Sequence, residues 1–224
     1  MTIDEAKQAA AKAAASLVQN GMLVGLGTGS TAKFAVEALA RRMSEGLRFT
    51  AVATSDATSH QARSLAIPLV ELTGQIDLTI DGADEIQPET LTLIKGRGGA
   101  LLREKIVAAS SKQLVIIADE SKLVDQLSSK MPVPVEVIPF GWKSTAQHLQ
   151  RLGCRATLRE NFTTDGGHLI LDCDFQTIHA AAALASQIDS IPGVVEHGLF
   201  LGMATQAIVA GSREIPVVIY RRSV

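Results

Sequence analysis

The sequence predicts an α/β protein: a parallel sheet with helices on both faces, followed by a smaller α+β unit of split βαβ order. Three observations predict it. Over the first 125 residues, segments of strand character alternate with segments of helical spacing, the pattern of a parallel sheet built by crossover helices. Leu114–Ala118 (LVIIA) is apolar throughout, as a parallel strand covered on both faces must be. Then MPVPVEVIP places three prolines within eight residues, which excludes helix and marks a boundary.

In order, residues 4–19 predict a helix, and Met22–Leu26 a strand ending in GTGS. Residues 31–45 predict a second helix, with apolar side chains at helical spacing. A strand at Phe49–Ala53, the polar turn TSDATS and a helical stretch His60–Leu65 follow. Pro68–Glu71 reads as a short strand, Asp77–Ile80 as another, and Ala100–Ser110 as a helix. Beyond the proline-rich boundary, strand Val133–Ile138, helix Trp142–Leu152, strands Ala156–Arg159 and Leu169–Asp172, helix Ile178–Ile188 and strand Val194–Phe200 spell β-α-β-β-α-β, the ferredoxin-like split arrangement. Residues 214–220 (EIPVVIY) predict a last strand returning to the first sheet. The expected domains are residues 1–129 plus 208–224 and residues 130–207.

Composition narrows the function. Of 224 residues, 46% are hydrophobic and 20% charged, so a packed core is expected. Aromatics are only 4% and the formal net charge is −2, which leaves neither stacking platforms nor a basic field for nucleic acid or an anionic membrane. Two cysteines without CxxC spacing and five scattered histidines propose no disulfide framework, metal or cofactor. The N-terminal segment is acidic and then alanine-rich, unlike a signal peptide. A soluble cytoplasmic protein is the expectation.

Ligands of parallel sheets bind at the carboxyl ends of the strands, and polar clusters fall at those ends. Gly27-Thr28-Gly29-Ser30-Thr31 joins a strand to a helix; its amides can hold an anion, and Ser30 or Thr31 can cap the helix. It matches neither GxGxxG nor a P-loop, and it would also serve as a plain cap and turn. Asp81-Gly82-Ala83-Asp84-Glu85 crowds three carboxylates after a strand. Two of them facing one pocket would raise a pKa and share acid and base duties; an Asx-turn is the structural alternative. Lys95-Gly96-Arg97-Gly98-Gly99 precedes a helix, a second amide-lined anion site or a flexible turn. Glu104 lies in the first turns of that helix with apolar neighbours at i−3, i+3 and i+4, and helical phase alone leaves its burial open. Lys122 follows the LVIIA strand. Together these residues suggest a phosphorylated substrate held by amides, hydroxyls and a lysine, with carboxylates beside it for proton transfer.

Read in order, GLGTGSTA, TSDATS, IDGADEI, KGRGGALLREKIV, ADESKLV and PVPVEVIPF resemble ribose-5-phosphate isomerase of type A, over nearly the whole chain. The resemblance implies a Rossmann-like main domain with the α+β domain inserted before the last strand. It implies cofactor-free interconversion of D-ribose 5-phosphate and D-ribulose 5-phosphate, in the pentose phosphate pathway, by a cytoplasmic homodimer or homotetramer. Carried over by motif, it implies that Thr28, Gly29, Ser30, Thr31, Asp81, Gly82, Ala83, Asp84, Lys95, Gly96, Arg97, Gly98 and Lys122 bind substrate. Lys7 is a further candidate at the phosphate. Glu104 would move the proton between C2 and C1, Asp81 would serve ring opening, and Lys95 with Asp84 would stabilise charge on the carbonyl oxygens. Two competing readings are a sugar-phosphate deaminase or lactonase, for which His60 is the one histidine in the first domain, and a non-catalytic sugar-phosphate sensor.

Overall fold

The structure is a computed structural model and describes residues 2–211 and 218–221. In the first half, helices and strands alternate: α1 (Ile3–Ala15), β1 (Leu23–Leu26), α2 (Ser30–Ser44), β2 (Thr50–Ala53), α3 (Asp56–Ser64) and β3 (Leu78–Gly82). A short hairpin, β4 (Glu85–Gln87) and β5 (Thr92–Ile94), precedes α4 (Leu101–Ala109) and β6 (Leu114–Asp119). Then come β7 (Val133–Val137), α5 (Trp142–Gln150), β8 (Arg155–Leu158), β9 (Leu169–Asp174), α6 (Ala181–Asp189) and β10 (Val194–His197). The chain ends through β11 (Leu199–Phe200), β12 (Gln206–Ala210) and β13 (Val218–Arg221).

The main sheet has the order β13-β12-β6-β3-β1-β2, parallel except for β13. Its central strands are covered on both faces, and their side chains divide by period two. Val115 and Ile117 join Val24, Leu26, Leu78 and Ile80 under α1 and α2. Leu114, Ile116 and Ala118 face the other way, onto Ile86, Leu93, Ala108 and Phe200. Ala10, Ala11, Ala14 and Ala15 of α1 are fully buried, and side chains this small let the helix lie close against its neighbours.

The split βαβ unit forms an antiparallel sheet of order β10-β7-β9-β8, with α5 and α6 supplying the apolar side chains of one core. Both lone cysteines are buried in that core. The expected strand Val194–Phe200 is two strands in two sheets. Gly198 donates to the Pro134 carbonyl (2.7 Å) and accepts from the Lys95 amide (2.8 Å), so the chain passes from β7 to β5 as its partner. The expected strand Pro68–Glu71 is reduced to one bridge between Leu69 and Ala51, because it runs along the outside of β2 and Pro68 has no N–H to extend a ladder. The helix expected at His60–Leu65 starts earlier, at Asp56, where the Ser55 hydroxyl accepts from the Thr58 amide. Strands β4, β5 and β12 were not expected; the first two are only three residues long. Of the predicted final strand 214–220, residues 214–217 lie outside the described residues, and β13 runs antiparallel to β12.

The third carboxylate of IDGADEI is structural. Glu85 is fully buried and accepts from the amides of Ser128 (2.6 Å), Lys130 (2.6 Å) and Met131 (2.9 Å). Replacing it with alanine leaves three amides without that acceptor. Glu85→Ala is expected to lower the unfolding free energy by about 3 kcal/mol or more. Urea unfolding checks this, and a loss below about 1 kcal/mol would contradict the assignment.

Candidate active site

The chain leaves β1 toward β2 on one side, while β3 lies on the other. The loops after β1 and β3 diverge from this switch point, where an open α/β sheet offers its crevice. A cavity of about 270 Å³ lies there, lined by Thr28–Thr31, Gly82–Asp84, Lys95–Gly98, Glu104 and Lys122. Asp81, near the end of β3, is buried and is not itself among the lining residues; its Oδ1 accepts from the amides of Gly82 (2.7 Å) and Thr28 (3.1 Å). The two loops touch so closely that a Cβ on Gly27 would lie 2.1 Å from Asp81 Oδ1; only glycine fits.

Hairpin β4–β5 brings Lys95 back over Asp81. The Lys95 ammonium lies 3.0 Å from Asp81 Oδ2 and 3.3 Å from Glu104 Oε1, and it donates to the Gly82 carbonyl at 2.6 Å. Its charge is therefore shared between two carboxylates and a carbonyl, and the residue still lines the cavity. The side chains of Lys95, Asp81 and Glu104 are 3%, 1% and 5% exposed, so water screens none of these charges. The Glu104 Oε2 atom is buried without a hydrogen-bond partner.

One cation thus faces two buried carboxylates, and one of them is driven to hold a proton. Burial lifts the Glu104 carboxyl to about 8; the Asp81 charge pushes the same way, and the Lys95 ammonium pulls back. Burial also raises Asp81, against the pull of Lys95 and of the amides of Gly82 and Thr28. For Lys95, burial opposes the charge, but the carboxylates of Asp81 and Glu104 more than offset it and lift the ammonium above its usual range. Lys95 is therefore a permanent cation. Glu104, with one oxygen on Lys95 and the other unpartnered, is the group poised to exchange a proton near neutral pH.

The other end of the cavity is built for an anion. Helix α2 begins at Ser30 behind Gly29 (φ 113°), with no side-chain cap on its amides. Ser30 and Thr31, expected to cap this helix, instead occupy its first turn, and the cap position is Gly29. Lys122 lies across from them in the 3-10 turn after β6. Two supports for these loops were not read from the sequence. The Thr28 hydroxyl sits among those of Thr54 (2.8 Å), Ser55 (2.7 Å) and Thr58 (3.1 Å), so the turn TSDATS braces the first loop. Lys130, its amide held by Glu85, donates through its ammonium to the carbonyls of Ser121 (2.8 Å) and Leu123 (3.0 Å) on either side of Lys122. The hydroxyls come from residues well separated in sequence from Thr28, while Lys130 reaches carbonyls seven and nine residues back along the chain; no sequence pattern marks either.

Asp84 turns its Oδ2 to the Arg97 amide (2.9 Å), which joins the second and third loops. Arg97 itself is exposed at the rim. Lys7 is not among the lining residues; its ammonium faces Asp4 on its own helix at 3.8 Å. His60 is exposed and also absent from the lining, so the group that a deaminase reading requires is not at the cavity.

A parallel sheet with a buried lysine–dicarboxylate cluster at its carboxyl edge, beside an anion cradle, defines a small α/β enzyme that moves protons on an anionic substrate. Residues 50–214 match the family of ribose 5-phosphate isomerase A (phosphoriboisomerase A). A ribose-5-phosphate isomerase A of Synechococcus sp. (strain JA-3-3Ab) is 59% identical over 220 residues, 95% of this chain and 96% of its own. The structure of ribose 5-phosphate isomerase A from Methanocaldococcus jannaschii superposes with a TM-score of 0.94 at 38% identity, covering 99% of this chain and 100% of that one. A D-ribose-5-phosphate isomerase in complex with phospho-erythronic acid gives a TM-score of 0.96 at 37% identity, with coverage of 99% and 100%. The chain belongs to the ribose 5-phosphate isomerase A family.

The raised Glu104 carboxyl makes stability depend on pH. Between its ordinary value of 4.5 and about 8, the folded state keeps a proton that the unfolded chain has lost, so stability falls as pH rises through that window. Glu104→Gln cannot titrate. Wild type is expected to lose stability relative to Glu104→Gln as pH climbs to about 8, read from urea unfolding across the range. A difference independent of pH would contradict the raised carboxyl.

Proposed function

We propose that this chain interconverts D-ribose 5-phosphate and D-ribulose 5-phosphate as an aldose–ketose isomerase of the pentose phosphate pathway, through a cis-enediolate. The observation that carries this is the cluster of Lys95, Asp81 and Glu104, closed to water on one side and open to a sugar-sized cavity on the other. The phosphate sits at the first turn of α2, on Ser30, Thr31 and Lys122, where charge-assisted bonds hold it without a basic surface. This leaves the aldehyde end against Lys95 and Glu104.

Moving the carbonyl from C1 to C2 requires one proton to leave C2 and one to arrive at C1. Glu104 as carboxylate takes the C2 proton and, now neutral, returns a proton to C1 on the same face. Between the two steps, negative charge spreads over O1 and O2. Lys95, aided by the Gly98 amide on the loop that Asp84 holds through the Arg97 amide, stabilises it. A proton passes from the O2 hydroxyl to O1 as the product forms, so the sugar ends with the protons it began with. Asp81, on the far side of Lys95, serves the earlier step in which the ring opens and a hydroxyl proton moves to the ring oxygen.

Lys95 favours the charged form of Glu104 while burial and Asp81 oppose it, which places the base near the pH at which it works. A non-catalytic sensor would have no use for a buried carboxylate with a free oxygen. Among the described residues no helix is long and apolar enough to cross a membrane, and the reading places the enzyme in the cytoplasm. We assign residues 130–207 to an inserted domain, a division supported by the separate sheet of β7 to β10. We also assign a homo-oligomer, supported by Phe140 (88% exposed) and Ile138 (38%) together on the loop after β7.

The test is conversion of D-ribose 5-phosphate in chelator-treated buffer. Wild type is expected to turn over, with kcat/KM rising with pH up to about 8. Glu104→Gln, similar in size but without a base, is expected to lose about 10²–10⁴-fold in kcat. Turnover that survives the substitution would keep the reaction and remove Glu104 as its base; tight binding without turnover in wild type would favour the sensor.

A further inference from the structure

We infer that Arg159, on the loop after β8, is a positioning residue for this reaction: it clamps the 96–98 loop from the split βαβ unit and aims the Gly98 amide into the cavity. The inference rests on the isomerase reading above. Arg159 carries out three tasks with one guanidinium. Its Nε and Nη2 grip Asp172 of β9 at 3.0 and 2.5 Å, a two-pronged pair that fixes the plane of the fork. Its Nη1 donates to the carbonyls of Gly96 (3.2 Å) and Arg97 (2.9 Å). Its flat face lies over the ring of Phe162, 5.4 Å from the centroid. That ring in turn presses on Gly99, where a Cβ would come within 2.0 Å of it.

The planar trans peptide turns these contacts into an orientation. In such a unit the C=O and the following N–H point in opposite directions. The Gly96–Arg97 unit is held at both ends: its carbonyl by Arg159 and its N–H by Asp84. The next unit has its carbonyl drawn outward by the same guanidinium, so the Gly98 N–H points the other way. Gly98 lines the cavity. The run of residues 96–99, four residues with three glycines, has little stiffness of its own, and Arg159, more than sixty residues along the chain, supplies it. The Gly98 amide so aimed belongs to the loop that begins at Lys95, where the reading puts the sugar oxygens, and the partners of Arg159 are Asp172, Gly96 and Arg97, none of them a residue assigned to the phosphate.

Arg159→Met keeps the stem and removes the fork; Arg159→Lys keeps the charge but can reach only one carbonyl well. The assays are kcat and KM for D-ribose 5-phosphate, direct binding of phospho-erythronic acid and of inorganic phosphate, and thermal unfolding of each variant. Arg159→Met is expected to lose about 10- to 100-fold in kcat, to bind phospho-erythronic acid correspondingly less well, and to bind inorganic phosphate as wild type does. Arg159→Lys is expected to recover part of the loss. The inference is overturned if a folded Arg159→Met keeps kcat and phospho-erythronic acid binding within about twofold of wild type. Equal weakening for both ligands, or losses that follow only the folded fraction, would overturn it as well. Binding is measured without turnover, so a wild type that binds but does not isomerise would refute the isomerase reading separately from the Arg159 clamp.

Discussion

The structure depends on a lysine buried between two carboxylates. Lys95 reaches Asp81, Glu104 and the Gly82 carbonyl at once, in a place where the three side chains are at most 5% exposed. Taking such charges out of water is costly, and the cost is repaid only by good geometry on every donor. Much of the fold near the cavity secures that geometry. The β4–β5 hairpin turns the chain back over β3, β11 fixes the Lys95 backbone through Gly198, and α4 presents Glu104. Because one cation cannot satisfy two anions, the cluster keeps a loosely held proton. The proposed function rests on this incomplete balance.

The rest of the site is a set of loops, each held by partners outside itself. The first rests on the hydroxyls of TSDATS, the second and third are joined by Asp84, and the turn carrying Lys122 is held by Lys130, whose own amide is fixed by Glu85. The split βαβ unit is part of this support. Lys105, beside Glu104 on α4, binds Glu196 and the His197 carbonyl, both at 2.6 Å, and Arg159 holds the glycine loop. The cavity is therefore shaped with help from the six-stranded sheet, the β11-β5-β4 sheet and the split βαβ unit, although its lining residues all come from the first 122 positions.

These facts decide what could be read in advance. Strand–helix alternation, the LVIIA run and the proline boundary give the two larger sheets, because burial imposes a period on sequence, but not the small β11-β5-β4 sheet. The site loops are legible because glycines, carboxylates and lysines at strand ends are costly without a purpose. Glu104 lies at the limit of such reading: its helical phase leaves it beside apolar neighbours, but its burial depends on how α4 meets Lys95. Glu85 sits among the pocket carboxylates in sequence and points away from them in space. Arg159 gives no local signal, since it acts on a loop brought near only by the fold, and Lys130, though seven to nine residues from the carbonyls it holds, looks like any surface lysine in sequence. The divided strand at Gly198 was missed for the same reason: its two halves read as one apolar segment until the partners are known.

The most direct test of the central claim is a carbon-13 NMR titration of the glutamate carboxyls in the folded protein, with Glu104 assigned by comparison with Glu104→Gln. The account expects one resonance, missing from the variant, to titrate with a midpoint raised to about 8. A midpoint in the ordinary carboxylate range near 4.5 would mean that Lys95 neutralises Glu104 fully. The cluster would then be a structural ion pair and not a poised proton carrier.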